Sequence, residues 1–416
     1  MGLSKPTVLE DSIQNIFSEY IDKKSLFKNK RALTSTFIPS KIYHREKEIS
    51  LLGSILAPSL KNYQPSNVFI YGTVGTGKTI CTKFVINQLK DVSKKTNTNL
   101  VTIYVNCKMK KVSDTEYRLF AQLLKEIGIT VPDTGLPTDV LYRKFFEKID
   151  EKKQTVVIII DEIDALFKKI GDDFLYNLTR INTELKNSGV SVIGITNDLS
   201  FRERLDVRVK SSLSEEEILF APYNALQLKN ILEQRIEEGF DEGVIDDAVL
   251  NKVAAIAAQE HGDARRALDL LRVAGEIAER SGVERITEEH VDTAEEKIDA
   301  DRVMETVKSQ PKQSQAVLYA IFCLHEKKKD KVNWADNRLL TGDVFAMYKN
   351  IIEKNGLKSL TQRRISDLIG ELDMLGIINA KIISKGRYGR TREISLSIQD
   401  NMKEKIGNLL SDRFGV

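Results

Sequence analysis

The spacing of apolar positions divides the chain into regions of different character. Between residues 40 and 222, four short continuous apolar runs alternate with segments in which apolar residues recur every three or four positions. Continuous runs are typical of strands that are buried on both faces, and the helical spacing between them is typical of crossover connections in a parallel sheet. The pattern therefore predicts an α/β domain whose strands cover residues 67–71, 100–105, 155–160 and 190–196.

Downstream of this domain the pattern is entirely helical. Apolar positions with helical periodicity predict four helices, over residues 226–238, 246–259, 264–280 and 287–298. We interpret these helices as a small separate domain. The polar stretch at residues 299–315 is predicted to connect it to the last domain.

The last segment has the element order of a winged helix-turn-helix. Helices are predicted over residues 314–326, 342–355 and 359–375, and strands over residues 377–384 and 393–398. Three helices followed by a β-hairpin are typical of a winged-helix domain of the α+β class. The predicted boundaries are an N-terminal extension at 1–39, an α/β base at 40–222, the helical domain at 223–300 and the winged helix at 301–416.

Charge is distributed unevenly along the chain. The formal net charge of the whole sequence is only +3, which argues against a polycation. Residues 301–416, however, carry 21 Lys and Arg against 14 Asp and Glu, so the remainder of the chain is slightly acidic. A basic excess confined to one domain favours an anionic partner for that domain.

Composition argues against membrane and secreted proteins. The longest apolar runs are far shorter than the roughly 20 residues that a spanning helix needs, and the N-terminus lacks the apolar stretch of a signal peptide. Cys81, Cys107 and Cys323 show no metal-binding spacing, which favours free thiols in a reducing compartment. We therefore expect a cytoplasmic protein.

A glycine-rich loop after the first predicted strand has the composition of a phosphate-binding loop. Glycines allow positive φ, so that successive N–H groups can point into one concavity, and the N-terminus of the following helix adds partial positive charge. Lys78 is expected to neutralise the β- and γ-phosphates, and Thr79 to offer its hydroxyl to Mg²⁺. The predicted nucleotide contacts of this segment are Gly72, Thr73, Val74, Gly75, Thr76, Gly77, Lys78, Thr79 and Ile80.

Acidic and amide side chains follow two of the other predicted strands. Asp161 and Glu162 come directly after the run at residues 155–160, at the strand end where open α/β sheets bind ligands. We expect Asp161 to hold the Mg²⁺ ion and Glu162 to act as general base on the attacking water. Asp164 either supports these groups from behind or, as we favour, is simply solvated. Asn197 either orients the water or a γ-phosphate oxygen, or simply forms a turn.

Together these motifs resemble those of AAA+ ATPases. Residues 72–79 are similar to the Walker A motif, Asp161 and Glu162 to Walker B, and Asn197 to the first sensor. Residues 262–268 are similar to the second sensor of the helical lid, which points to Arg265 as a γ-phosphate contact. With Pro222-Tyr223, residues 231–235 and residues 206–212, the sequence resembles archaeal replication initiators of the origin recognition complex/cell division cycle family over about residues 37–398.

This resemblance carries expectations about ligands and partners. ATP or ADP with Mg²⁺ is expected between base and lid, with Tyr223 and Arg235 bordering the nucleotide and with slow hydrolysis to ADP and phosphate. The expected partners are double-stranded origin DNA, a replicative helicase of the minichromosome maintenance type and other initiator paralogues. Arginine fingers of such ATPases act on a neighbouring subunit, and the candidates here are Arg202, Arg204 and Arg208.

Two regions are candidates for DNA contact. In the winged helix, Gln362, Arg363 and Arg364 open the third helix, where side chains can bond base edges or phosphates. The hairpin suits the minor groove and its flanking phosphates, although it could also be a solvated charged loop; its candidates are Lys385, Arg387, Tyr388, Arg390 and Arg392. The family also implies a duplex-contacting insertion in the base, here at Thr134, Gly135 and Leu136.

Three functions are compatible with these features. The first is a DNA replication initiator that binds origins, helps to load the replicative helicase and uses slow ATP hydrolysis as a switch. The second is a winged-helix transcriptional regulator, or a repressor of origin firing, in which the nucleotide is a structural ligand. The third is a clamp-loader-like ATPase, which would form stable rings and turn over ATP rapidly.

Overall fold

The continuous apolar runs form a central parallel sheet in the computed structural model. The structure describes residues 17, 21, 24–108, 115–132, 135–213, 215–329, 339–384, 390–398 and 400–415. Its residues group into two units, Met1–Ala294 and Glu295–Val416. The sheet of the first unit consists of β1 (Asn67–Gly72), β2 (Leu100–Asn106), β3 (Gln154–Asp161), β4 (Ser188–Thr196) and β5 (Glu215–Phe220).

All strand pairs in this sheet are parallel, in the order β2-β3-β4-β1-β5. The four predicted strands are confirmed, and β5 was missed. Its sequence begins with Glu215-Glu216-Glu217, which hides the apolar signal of a strand. An edge strand tolerates such a sequence because it pairs with only one neighbour.

Helices cover both faces of the sheet, as the apolar runs predicted. In β3, Val156, Ile158 and Ile160 belong to one buried core, whereas Val157 and Ile159 belong to the core on the opposite face. Burying each such side chain stabilises the fold by about 2 kcal/mol. The helices are α1 (Glu46–Leu56), α2 (Lys78–Lys95), α3 (Glu116–Glu126), α4 (Thr138–Asp150), α5 (Ile163–Ile170), α6 (Asp173–Arg180), α7 (Phe201–Arg204) and α8 (Val207–Leu213).

Four helices follow the base, and a polar side chain caps the N-terminus of each of the first three. Asn224 forms a capping box with Gln227, Asp246 accepts from Val249 N, and Asp263 accepts from the amides of Arg265 and Arg266. These caps satisfy backbone donors that the first helical turn leaves without partners. The helices are α9 (Ala225–Gly239), α10 (Asp247–Gln259), α11 (Ala264–Ser281) and α12 (Glu288–Ser309).

The predicted polar connection at residues 299–315 is largely wrong, because α12 continues as far as Ser309. This part of α12 contains Arg302, Glu305 and Lys308, residue types that have good helix propensity despite their polarity. Val307 is fully buried in the core of the second unit, and Val303 and Met304 pack against it. The sequence is therefore polar without being a linker.

The second unit has the predicted winged-helix order with one addition. Its elements are α13 (Lys312–Lys329), β6 (Leu339–Leu340), α14 (Thr341–Lys354), α15 (Gln362–Met374), β7 (Ile378–Ser384), β8 (Arg390–Leu396) and α16 (Asp400–Phe414). The strands form an antiparallel sheet in the order β6-β8-β7. Helix α16 was not predicted, although Met402, Ile406, Leu410 and Phe414 recur every four residues and are buried.

Within the described ranges, every helix is too short or too polar to serve as a membrane span.

Candidate functional site

The glycine-rich loop lies between the end of β1 and the start of α2, as predicted. Gly75 and Gly77 have φ values of 75° and 93°, which only glycine adopts without strain. A Cβ atom on Gly75 would lie 1.6 Å from Asp263 Oδ1, and one on Gly77 would lie 2.7 Å from the Tyr223 hydroxyl. Both glycines are therefore also required by the close approach of lid residues.

The Lys78 ammonium group is buried and fully engaged. Its Nζ donates to Gly72 O and Thr73 O at 2.7 Å and to Asn197 Oδ1 at 2.8 Å. Burial lowers the Lys78 pKa to about 8, and the nearby Asp161 carboxylate opposes this shift. The structure thus brings together Lys78 and Asn197, two of the residues predicted to contact the γ-phosphate.

Oxygen atoms suited to a hard cation meet where α2 begins and β3 ends. Thr79 Oγ1 donates to Asp161 Oδ2 at 2.9 Å, and the Tyr104 hydroxyl donates to the same oxygen at 2.6 Å. Burial, together with the hydrogen bond to Asp161, raises the Tyr104 pKa, so the phenol keeps its proton. A threonine hydroxyl beside an aspartate is a donor set that fits Mg²⁺. Tyr104 was not anticipated, because it lies in the middle of β2 and belongs to no recognisable motif.

Glu162 has an unusual backbone conformation at the start of α5. Its φ of 57° is left-handed, which costs a non-glycine residue about 1 kcal/mol or more. Lys108 Nζ lies 3.6 Å from Glu162 Oε2. Asp164 is not simply solvated, since its Oδ1 accepts a hydrogen bond of 3.0 Å from Thr196 Oγ1.

The lid contacts the loop through the beginning of α11. Ala264 N donates to Gly75 O at 3.2 Å, and a Cβ atom on Gly262 would lie 2.3 Å from Tyr223 O. Arg265 is exposed and lines the same cavity as Lys78. The predicted sensor segment therefore lies directly against the phosphate-binding loop.

Arg45 is a component of the site that sequence reasoning missed. It is buried, and its Nε donates to Thr76 O at 3.1 Å, while its Nη2 donates to Ala221 O at 2.5 Å. Its Nη1 pairs with Glu48 at 2.9 Å, and the guanidinium carbon lies 4.0 Å from the centre of the Tyr223 ring. Arg45 thus joins α1, the loop and the connection from base to lid.

Arg235 borders the cavity, but its guanidinium group binds the N-terminal segment. Its Nη1 donates to Ala32 O at 3.3 Å and its Nη2 to Phe37 O at 3.2 Å, and it lies over the Phe37 ring. Leu33 and Ala32 are fully buried. The predicted N-terminal extension is therefore, from residue 24 on, packed against the lid.

One cavity of about 340 Å³ joins these groups, a volume within the usual range for small-molecule sites. Its polar part contains Lys78, Thr79, Asp161, Glu162, Asn197 and Arg265. Its apolar part contains Ile38, Pro39, Ile42, Ile80, Ile231 and Leu268. Tyr223 and the loop residues Gly75, Thr76 and Gly77 also line it, whereas Gly72, Thr73 and Val74 do not. A lining that combines charged and apolar groups suits a nucleoside triphosphate.

The candidate arginine fingers are all engaged within the chain. Arg208 pairs with Asp206 at 3.1 Å and Arg202 with Glu217 at 2.5 Å. Arg204 pairs with Asp198. Action on a neighbouring subunit would require these pairs to break.

In the winged-helix unit, the predicted third-helix residues separate into two groups. Gln362 and Arg363 line a groove of about 470 Å³ together with Arg392. Arg364 instead pairs with Glu371 at 3.2 Å along α15. A cation that is neutralised by a neighbouring acid contributes less to anion binding than a free one.

Several other DNA candidates are not placed by the structure. Lys385, Arg387, Tyr388 and Thr134 lie outside the described residues, and Arg390 is described only through its backbone in β8. Gly135 is exposed, with a φ of 108°. Leu136 packs against the core of the base.

Family models match the base, the helical lid and the winged helix. Family models match residues 61–205 ("AAA domain"), 229–296 ("Cdc6 AAA+ ATPase-type lid domain") and 305–405 ("CDC6, C terminal winged helix domain"). The ORC1-type DNA replication protein of Thermococcus kodakarensis is 52% identical over 401 residues, which cover 95% of this chain and 94% of the relative. ORC1-type DNA replication protein 1 of Archaeoglobus fulgidus is 47% identical over 391 residues, covering 94% and 93% of the two chains.

Solved structures agree with these sequence matches. The Aeropyrum pernix ORC1 protein in complex with DNA matches with a TM-score of 0.81 and 42% identity, covering 94% of this chain and 98% of that one. Cdc6p from Pyrobaculum aerophilum, at 20% identity and a TM-score of 0.59, covers 94% of this chain and 100% of that one and shares the fold. Identity near 50% along almost the whole length confirms the resemblance inferred from the motifs, and the chain belongs to the ORC1-type DNA replication proteins.

Proposed function

We propose that this protein is an ATP-dependent initiator that binds origin DNA and helps to load a replicative helicase of the minichromosome maintenance type. The observation that supports it most is the single cavity in which the phosphate-binding loop meets the lid motif, in a chain that also has a winged helix with a cationic groove. Such a protein can couple nucleotide state to the arrangement of base and lid. Other initiator paralogues are candidate partners.

The residues of the cavity have distinct proposed roles. Thr79 and Asp161 hold Mg²⁺, which supplies charge neutralisation to the phosphates when bound. Lys78 and Arg265 bind the β- and γ-phosphate oxygens, and Asn197 orients the attacking water. Glu162 accepts the proton of that water as it attacks the γ-phosphorus. The nucleotide base fits the apolar part.

Hydrolysis is proposed to reset a switch rather than to drive continuous turnover. Glu162→Gln keeps the size of the side chain but removes its basicity, so single-turnover hydrolysis should fall about 100-fold or more while ATP binding is retained. The control is Lys108→Gln, which removes the exposed ion-pair partner of Glu162 but keeps the Glu162 carboxylate itself. Unchanged hydrolysis in Glu162→Gln would contradict the assignment, and rapid steady-state turnover of the wild-type protein would favour a clamp-loader-like ATPase.

Recognition of origin DNA is tested by selection from random duplexes. The full-length protein is incubated with the library in ATP and, separately, in ADP, and bound sequences are determined at moderate salt. We expect an enriched motif that occurs in the origin regions of the host, and a change in affinity between the two nucleotides. Absence of any preferred sequence would overturn the proposal. A preferred motif bound equally in both nucleotides would favour a regulator that holds its nucleotide as a structural ligand.

A further inference from the structure

We propose that the groove between α15 and the β7-β8 hairpin is a subsite for one backbone phosphate of duplex DNA, in which Arg392 is seated on Gly370. The inference rests on the proposed DNA-binding function and specifies which residues form this contact. It uses only side chains in the described part of the unit.

The seat is built by Gly370 and by polar residues on one face of α15. Gln362, Ser366 and Gly370 are four positions apart, which places them above one another on a helix. A Cβ atom on Gly370 would lie 3.0 Å from Arg392 Nη1, 3.3 Å from Nη2 and 3.5 Å from Cζ. All three atoms lie within 3.5 Å of this Cβ position. The planar guanidinium group therefore packs against the helix at the place where Gly370 has no side chain.

The hairpin holds Arg392 from its other side. Arg392 lies on β8, the central strand of the three, and its backbone N donates to Thr341 Oγ1 at 3.3 Å. Ile394, two residues further on and thus on the same face of the strand, is buried in the core. The position of Arg392 is therefore fixed by packed elements, and less side-chain entropy is lost when it binds a ligand.

The chemistry of the groove favours an anion. The groove residues that we expect to face the ligand are Gln362, Arg363, Ser366, Ile382, Thr391 and Arg392. None of the described residues that line the groove is acidic. Two guanidinium groups with amide and hydroxyl donors match the charge and fork geometry of a phosphodiester.

An apolar side chain forms the rim of this groove. Ile382 is directly opposite Arg392 in the β7-β8 pairing, and it is 66% exposed. An exposed isoleucine beside two arginines is suited to the deoxyribose that adjoins a bound phosphate. A backbone ligand therefore explains the cationic and apolar parts of the groove together, whereas a free inorganic anion would leave Ile382 without a role.

The charge of Arg392 is tested with Arg392→Gln against Lys381→Gln, in the full-length protein and on the duplex that the wild-type protein prefers. Lys381 precedes Ile382 in β7 and points to the opposite face of the strand, so both variants lose one positive charge but only the first alters the groove. We expect Arg392→Gln to weaken binding about tenfold. The slope of log K against log salt should decrease by about 0.9 in that variant. Lys381→Gln should change neither quantity appreciably.

The seat is tested with Gly370→Gln, which keeps Arg392 but fills the space of its guanidinium. Glutamine has good helix propensity, so α15 should be retained and far-ultraviolet circular dichroism should not change. DNA affinity should fall nearly as much as in Arg392→Gln. The control is Gly53→Gln, the same exchange in helix α1 at a position where a Cβ atom meets nothing within 4 Å. Gly370→Ala requires a shift of only a few tenths of an ångström and should have a smaller effect.

A methylphosphonate scan of the duplex identifies the contact itself. Neutralising one particular phosphate should weaken wild-type binding, and the same substitution should have no further effect on Arg392→Gln or Gly370→Gln. Equal sensitivity of wild-type and variant proteins at every phosphate would overturn the subsite, as would equal affinities of Arg392→Gln and Lys381→Gln. If instead the wild-type protein binds no duplex above background, the proposed DNA-binding function itself fails.

Discussion

The guanidinium group of Arg45 binds three segments that are far apart in the sequence. Its partners are the carbonyl groups of Thr76 and Ala221 and the carboxylate of Glu48. Loss of the arginine leaves two carbonyl groups and one carboxylate with fewer partners in a largely buried place. The cost of such changes is set by the unsatisfied groups rather than by the lost charge alone.

We predict that Arg45→Met lowers the free energy of unfolding by about 2 kcal/mol and weakens ATP binding, because the loop carbonyl at Thr76 is no longer held. Lys47→Met removes a positive charge from an exposed position of the same helix and serves as the control. Denaturant unfolding and equilibrium ATP titration measure the two effects. Equal behaviour of the two variants would contradict the structural role of Arg45.

The lowered pKa of Lys78 predicts proton uptake when ATP binds. In the free protein its pKa is about 8 because burial disfavours the charged form, so above pH 8 the lysine is mostly neutral. A bound triphosphate favours the charged form and raises this pKa. We therefore expect up to about one proton to be taken up per nucleotide near pH 9 and almost none near pH 6.5.

Calorimetric titration in buffers of different ionisation enthalpy measures this proton uptake. The apparent ATP affinity should decrease as the pH rises above about 8, since binding then has to include protonation. Lys78→Met should bind ATP weakly and without this pH dependence. Identical proton uptake at the two pH values would show that Lys78 is charged throughout.

Among the elements, the N-terminal segment is the least expected part of the nucleotide site. Its backbone is held by Arg235 of α9, and its residues Ile38, Pro39 and Ile42 form part of the apolar end of the cavity. We therefore propose that Arg235 acts through this segment, as a positioning residue. Burial lowers the pKa of Arg235, but a guanidinium group remains charged at neutral pH.

We predict that Arg235→Met increases amide hydrogen exchange in residues 30–38 and weakens ATP binding about tenfold, since two hydrogen bonds to a cation are lost. Lys229→Met, in the same helix but outside the described lining of the cavity, is the control. Hydrogen exchange detected by mass spectrometry separates the two possible roles. Weaker binding without any change in exchange at residues 30–38 would assign Arg235 to direct nucleotide contact.

The predictable parts of the structure are those with a local sequence signal. Strand β3 is buried on both faces and therefore reads as a continuous apolar run, and the phosphate-binding loop is contiguous in sequence. Strand β5 was missed because glutamates have a low intrinsic preference for strands. Glu215-Glu216-Glu217 form an edge strand because tertiary pairing overrides that preference. Arg45 and Tyr104 could not be identified, because most of the residues that contact them in the folded chain are distant in the sequence.

At the scale of the whole molecule, the chain has two units with separate hydrophobic cores. The cores on the two faces of the base sheet belong to the first unit, and the core around Tyr348 and Ile365 belongs to the second. The proposed nucleotide-binding residues lie in the first unit, and the cationic groove lies in the second. Ligands of the two kinds should therefore stabilise different parts of the chain.

We predict two thermal transitions, of which Mg²⁺ and ATP raise only the one that belongs to the first unit. At a ligand concentration of about 100 times Kd the expected stabilisation is about 2.7 kcal/mol. Differential scanning calorimetry measures both transitions, and Lys78→Met provides a protein whose first transition should not respond. A single transition that shifts as a whole would show that the two units unfold cooperatively.

The contact between Gly75 and Asp263 sets how closely the lid can approach the base. Because the carboxylate of Asp263 occupies the place of a side chain at position 75, even one methyl group there would act as a spacer between the two parts. The distance between the phosphate-binding loop and the start of α11 thus depends on the absence of a side chain at position 75. Tight enclosure of the proposed nucleotide therefore places a demand on this glycine that is separate from the demand of phosphate binding.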